Sequence, residues 1–368
     1  MASTGVTETV STLSGRIGRY FNIVSALPSA LFVSYVFLLV ESGAWSGPVE
    51  MSDALSSIDL KEAALLVLLS FVTALALHPL QFSIIQMFEG YWGSSALARR
   101  IAVVRTRYHR RRLTALRLAS GDAHLEVQRL DDKAGVAWFE ASDRLLAEII
   151  RGDESERERQ SYPESLREVL PTRLGNVLRR YERAGASYGI QAIPTVPRLG
   201  MVAEDKEVEY VQDQRLQLEL AVRTAFLAIV AAGLTVIFMW RHGLWMLLAL
   251  GPYAVGYLSY RGAVVVAHEY GTALAVLIEL NRFRLYERLR HPQPENAAQE
   301  REANARLMRA FAHDPNVRLD YAPLAASAEA LASSPQPPES PPSGSNPPVG
   351  QDGAAESADA EVDAQGGG

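Results

Sequence analysis

The chain has 368 residues, 48% of them apolar, with a mean hydropathy of +0.00 and a formal net charge of −6. An apolar half at zero mean hydropathy means strongly apolar stretches balanced by strongly polar ones, which excludes a wholly disordered chain and argues against a single soluble globule. There is no cysteine, which excludes disulfides, thiolate zinc sites and a cysteine nucleophile, and residues 333–368 hold six acids and no base, so the rest of the chain is neutral overall.

Residues 1–22 form an N-terminal segment carrying Arg16 and Arg19. Four apolar runs follow. Residues 23–40 are an uncharged run of 18; residues 63–77 continue through His78-Pro79 to residue 88; residues 224–240 and 244–260 are separated by Arg241-His242-Gly243. A helix needs about 20 mostly apolar residues to cross a bilayer. The sequence therefore predicts spans near 23–42, 63–88, 223–240 and 244–260, grouped as hairpins 23–89 and 223–261. The first run also suits a cleaved signal peptide, but the long segment before it and the poor cleavage site at 42–47 favour a retained anchor.

Basic residues set the direction. Arg99, Arg100, Arg105, Arg107, Arg110, Arg111, Arg112 and Arg117 follow the second run, with no acid between Gly90 and Gly121. The segment between the first two runs carries Glu50, Asp53 and Asp59 instead, and Arg261, Arg282, Arg284, Arg288 and Arg290 follow the fourth. Both termini and the insert 90–222 are thus expected in the cytoplasm, the expected location is a bacterial inner membrane, and high arginine with only three lysines suits a GC-rich bacterial genome.

Within the insert, Leu97, Ile101, Val104 and Tyr108 line one helical face, and Leu130, Ala134, Ala137, Ala141 and Leu145 line a second helix starting near Asp122. Either stripe suits an intramolecular core or a coiled-coil seam; the shortness of each favours a helical hairpin. Residues 151–160, RGDESERERQ, read as a solvated connector. Ser161 and Glu164 have capping-box spacing, and Pro171 ends the short helix they would start. Leu174, Val177, Leu178 and Tyr181 share the buried face of the next helix, opposite Arg179, Arg180 and Arg183. Two prolines keep 188–200 from forming a long helix. A helix from Asp205 runs into the third span, and another beyond the fourth runs to His291-Pro292, with one more over 298–312 inside the cytoplasmic segment 262–332. Seven prolines and many small residues make 333–368 an expected disordered tail.

Two segments carry a resemblance. Tyr162-Pro163, Pro171 to Asn176 (PTRLGN), Tyr188-Gly189 and Pro197-Arg198-Leu199 in the first, with Tyr270-Gly271, Asn281-Arg282-Phe283, Leu285-Tyr286, Pro292 and Glu300-Arg301 in the second, resemble signatures of uncharacterised bacterial four-span membrane proteins. Those relatives more often show an Asp-Leu-Tyr/His-Arg run where this chain has Glu279-Leu280-Asn281-Arg282, and a tryptophan where it has Val196. The resemblance implies architecture and no activity. The expected fold class is an all-α membrane protein with four transmembrane helices, a mostly helical cytoplasmic module and a disordered C-terminal tail.

The chemistry-bearing residues are sparse. None of the seven histidines forms HxxxH or HExxH, no phosphate-binding glycine loop or nucleophile elbow occurs, and no cofactor is expected. His78, inside the second span, is the candidate intramembrane polar residue, with a packed neutral histidine at a proline kink as the plainer reading. Glu41 and Arg223 sit at span ends, where snorkelling suffices. Arg99, Arg100, Arg105, Arg107, Arg110, Arg111 and Arg112 are candidate contacts to anionic lipid head groups, which the run explains better than nucleic acid. Thr172, Arg173 and Asn176 are the candidate interaction cluster, although Thr172 or Asn176 also suits a cap and Gly175 close packing. The expected function is a non-enzymatic membrane scaffold or regulator that binds a protein partner or itself as a homo-oligomer. The alternative is an oligomeric pore or transport effector that permeabilises the membrane.

Overall fold

Every regular element among the described residues (26–43, 59–133 and 138–321, the side chains of 126, 130–133 and 138–145 aside) is helical in the computed structural model. In chain order they are α1 (Ala26–Glu41), α2 (Leu60–Leu77), α3 (Gln81–Glu89), α4 (Ala96–Lys133), α5 (Trp138–Arg159), α6 (Arg173–Tyr181), α7 (Ala192–Leu199), α8 (Asp205–Met239), α9 (Leu250–Leu289) and α10 (Ala297–Phe311). Among the described residues three stretches are long and apolar enough to cross a membrane: α2, α8, and Gly243–Leu289, which joins a 3-10 turn to α9. The first apolar run forms the shorter α1.

The antiparallel pair α8 and α9 is the spine. Small residues let the two backbones approach: Gly256 on α9 lies against Ala225 of α8, and Ala263 and Ala267 are buried in one cluster with Leu218 and Val222. A Cβ added at Gly256 would lie 3.1 Å from Ile229 Cγ1 and 3.4 Å from the Ala225 carbonyl oxygen. The main core gathers Leu174, Val177, Leu218, Val222, Ala263, Val264 and Ala267, and receives Leu77 from the end of α2 and Ile84 from the middle of α3. At the other end of α8, α1 packs Leu39 on Met239, and Tyr35 Oη lies 2.7 Å from Thr235 Oγ1. An apolar cavity of about 390 Å³ opens between α1, α8 and α9, lined among others by Phe32, Tyr35, Leu227 and Pro252.

Several sequence expectations change. The apolar stretch 63–88 is not one helix: α2 stops at Leu77, a turn carries His78-Pro79-Leu80, and α3 restarts at Gln81. Proline supplies the break, because it cannot donate to the preceding turn. No helix starts near Asp122; α4 runs 38 residues without interruption to Lys133. The stripe Leu97, Ile101, Val104 and Tyr108 is exposed and is neither core nor intramolecular seam. The buried stripe is His109, Leu113, Leu116 and Ala123, at alternating spacings of four, three and seven. Of the second predicted stripe, Ala134 and Ala137 lie outside the described residues.

Residues 151–159 belong to α5 and are not a connector. Ion pairs hold this polar stretch helical: Arg151 with Glu148 at 3.0 Å, Arg159 with Glu156 at 2.7 Å, and Arg112 across the hairpin with Glu158 at 2.6 Å. Ser161 and Glu164 do not form a capping box. Ser161 is buried against α9, and Ser165 instead caps the single turn Leu166–Glu168. The predicted tail lies outside the described residues.

Candidate functional site

The PTRLGN segment is the junction between α3, α6 and α9. Gly90 ends α3 with φ of 106°, a left-handed conformation that favours glycine. A Cβ there would also lie 2.8 Å from Pro171 Cδ. Thr172 Oγ1 donates to the Glu89 carbonyl at 2.8 Å and accepts from the Gly175 N–H at 3.0 Å, so one hydroxyl caps α6 and fastens it to α3. Gly175 lies so close to the Glu89 carbonyl that any Cβ would overlap it.

Asn176 is fully buried. Its Nδ2 donates to the Leu170 carbonyl at 3.0 Å and to the Thr172 carbonyl at 2.7 Å, while its Oδ1 accepts from the Leu170 N–H at 2.7 Å. The amide therefore ties the approach strand to the first turn of α6 and is not free to meet a partner. Thr172, whose side chain is also buried, has the capping role that the sequence allowed for it. Arg173, between them, is exposed.

Beside the junction lies a second polar group that the sequence did not bring together. His109 Nδ1 is 2.9 Å from Tyr162 Oη, and Ser161 Oγ is 3.2 Å from His268 Nε2. Burial, followed by the charges of Arg105, Arg173 and Arg112, lowers the His109 pKa to about 4. Burial, then the charge of Glu158, pushes the Tyr162 hydroxyl up to about 12. Both are neutral at pH 7, and His109 Nε2 is among the described buried polar atoms without a hydrogen-bond partner. His109 was hidden in the basic run RTRYHRRR, and its partner is 53 positions away, so no local spacing could flag it.

The remaining signature residues meet in a third cluster. Gly189, at φ 75°, lets the turn after α6 pass within 3.0 Å of the Arg301 carbonyl oxygen, measured from where its Cβ would stand. Asn304 Nδ2 donates to the Tyr188 carbonyl at 2.8 Å. The Arg282 guanidinium is 2.8 Å from Glu300 and 4.2 Å from the centre of the Tyr188 ring, and Arg198 stacks 4.0 Å from that of Phe311. Asn281 is buried and donates to Glu207 at 2.8 Å, joining α9 to the start of α8. The two segments that carry the family resemblance thus pack on each other.

His78 caps the end of α2 and is exposed, so it is not a residue packed inside a kinked helix. Arg99, Arg100, Arg105, Arg107, Arg110 and Arg111 are exposed along α4, as is Arg112, which is paired with Glu158. Arg223 does not snorkel: it is 4% exposed and its Nη2 donates to Gln81 Oε1 at 2.5 Å, while Gln81 also donates to Glu219. Among the described residues no group of three or more His, Asp or Glu is placed to hold a metal. The chain matches no family model, no curated protein and no solved structure.

Proposed function

We propose that the chain is a four-span membrane protein with both termini in the cytoplasm, whose helical module acts as a scaffold or regulator. The observation that carries this reading is continuity. The helices α8 and α9, 35 and 40 residues long, pass unbroken from apolar segments into the module built from α6, α7 and α10. A displacement of the apolar pair therefore moves the module, and the reverse.

Membrane placement draws on exposed surface. Leu65, Val67, Leu68, Phe71, Val72 and Leu75 of α2 are all exposed, and only Ser70 and Leu77 of that helix are buried. Such an apolar surface suits lipid. The first helix, α1, is the fourth span in this reading, since it packs on the far end of α8. The Gln81–Arg223 contact sets His78-Pro79 level with Arg223 and, across the helix pair, with Arg261. We put the cytoplasmic boundary there, with α3 along the interface and its Phe82 and Met87 exposed.

Single cysteines test the topology cleanly. An impermeant thiol reagent applied to spheroplasts should label Asp53→Cys and spare Asp122→Cys; labelling of both to the same extent overturns it. Reconstitution then separates the two functional readings. A scaffold forms discrete oligomers or captures a partner through its module and leaves vesicles tight. Steady ion flux through wild-type vesicles would establish the oligomeric pore instead.

A further inference from the structure

We propose that residues 97–108, the first turns of α4, lie along the cytoplasmic surface of an anionic bilayer, with Leu97, Ile101, Val104 and Tyr108 sunk among acyl chains. This rests on the membrane placement above and gives the exposed stripe its partner. The four side chains are 69, 45, 63 and 51% exposed, and no element among the described residues covers them. At about 100° per residue they fall within a sector of about 60°, on a lateral face about 110° from the direction in which His109 enters the core.

The arginines are placed for the same surface. Arg105 and Arg112 flank one edge of the stripe, and Arg100, Arg107 and Arg111 flank the other. An apolar strip bordered on both sides by long cationic side chains is the pattern of a helix lying in the interface plane, with stems along the apolar boundary and guanidinium groups at head-group level. The Arg105 guanidinium already follows that edge, 5.6 Å from the centre of the Tyr108 ring.

The fold delivers this helix to the right depth. Its first residue, Ala96, comes six positions after Gly90, which is held against Pro171. In the same junction the Leu174 N–H is 3.4 Å from the Tyr260 hydroxyl, one residue before Arg261 at the proposed boundary. Charge then chooses between a bilayer and a second copy. Eight arginines and no acid lie between Gly90 and Gly121. Pairing this stripe with its own copy would set the arginines that border it against their counterparts, whereas phosphate head groups neutralise them.

The test uses single cysteines at Ile101, at Val104 and, as a control, at Val103. Val103 is equally apolar, 47% exposed, and faces away from the stripe. Each variant carries an environment-sensitive fluorophore in nanodiscs of phosphatidylcholine with or without phosphatidylglycerol, and lipids bearing a nitroxide are the quencher. We expect at least twofold stronger lipid quenching at 101 and 104 than at 103 in the anionic discs. That difference should shrink when Arg105, Arg107 and Arg111 are replaced by Gln. Equal quenching at all three sites overturns the proposal. So does efficient oxidative cross-linking of two Val104→Cys chains without lipid quenching, which would make the stripe a contact between copies. Both leaflets of the disc hold the anionic lipid, so this result does not depend on which side of the cell membrane α4 occupies. Failure of the topology reading is seen separately, in the impermeant-label experiment.

Discussion

Asn176 offers the sharpest quantitative test of the junction. Its amide makes three hydrogen bonds from a site with no exposed surface. Replacing it by Ala removes all three and strands the Leu170 N–H and two carbonyls. Net bond losses and desolvation together cost about 3 kcal/mol. Asn176→Asp should be worse at pH 7, because a carboxylate would set an acceptor where Nδ2 now donates to two carbonyls, and an unpaired buried charge is costlier still. The sign with pH follows. This buried Asp would have its pKa raised above its unfolded value, so the variant's deficit should shrink as pH falls and the carboxyl regains a proton to donate. Arg173→Ala, beside it but exposed, should change stability by about 0.5 kcal/mol or less. Thermal unfolding in detergent, followed by circular dichroism, should give a loss of about 6–12 °C for the Ala variant. An Asp variant as stable as wild type at pH 7 would refute the hydrogen-bond assignment and return Asn176 to the pool of available surface residues.

Three further outcomes follow from the fold. Gly175→Ala places a Cβ on the Glu89 carbonyl, a backbone atom that cannot swing aside, and should cost about 2–3 kcal/mol; Gly121→Ala, with nothing within 4 Å and a helical backbone, should instead stabilise by up to about 1 kcal/mol in the same melt. His109, held near pKa 4 in the fold against about 6.5 unfolded, stabilises the fold fully above about pH 6.5 and loses that contribution as pH falls toward 4, because the unfolded chain takes up a proton that the folded one refuses. The window holds about 3 kcal/mol at most, and His109→Phe should flatten the acid limb of melting temperature against pH; an unchanged acid limb would place the titrating group elsewhere.

Where the signals were local, the sequence was informative. Glu204 and Glu207 form a capping box that starts α8, and α9 ends in a left-handed Arg290 just before His291-Pro292. Leu174 and Val177, read as the buried face of α6, are fully buried. The failures share a cause. Helix α4 carries two stripes of similar spacing, and the more apolar one faces outward. Hydrophobicity marks removal from water and does not distinguish a protein core from lipid. Asp122 has the chemistry of an N-cap, but in the middle of a long helix packing outweighs that local preference. The His109–Tyr162 and Ser161–His268 pairs join residues 53 and 107 positions apart, and nothing in either neighbourhood announces its partner.

The polar residues of the resemblance segments show why a helical join needs them. A nine-residue helix such as α6 is too short to hold itself, and its apolar face alone would let it slide along α9. Thr172 fixes its start against α3, Asn176 ties that start to Leu170 before it, and Gly271 fixes its end, because a Cβ there would overlap the Tyr181 ring. The same logic recurs where Asn281, Arg282 and Asn304 clamp α9 to α8, α10 and the turn after α6. Helix α8, about 52 Å long at 1.5 Å per residue, is held at one end by Glu207 against Asn281 and near the other by Thr235 against Tyr35. A helix pinned at both ends transmits a tilt instead of absorbing it. If α1 crosses the bilayer as proposed above, a tilt of α1 is expected to reach the far end of α8, where Glu207 meets Asn281.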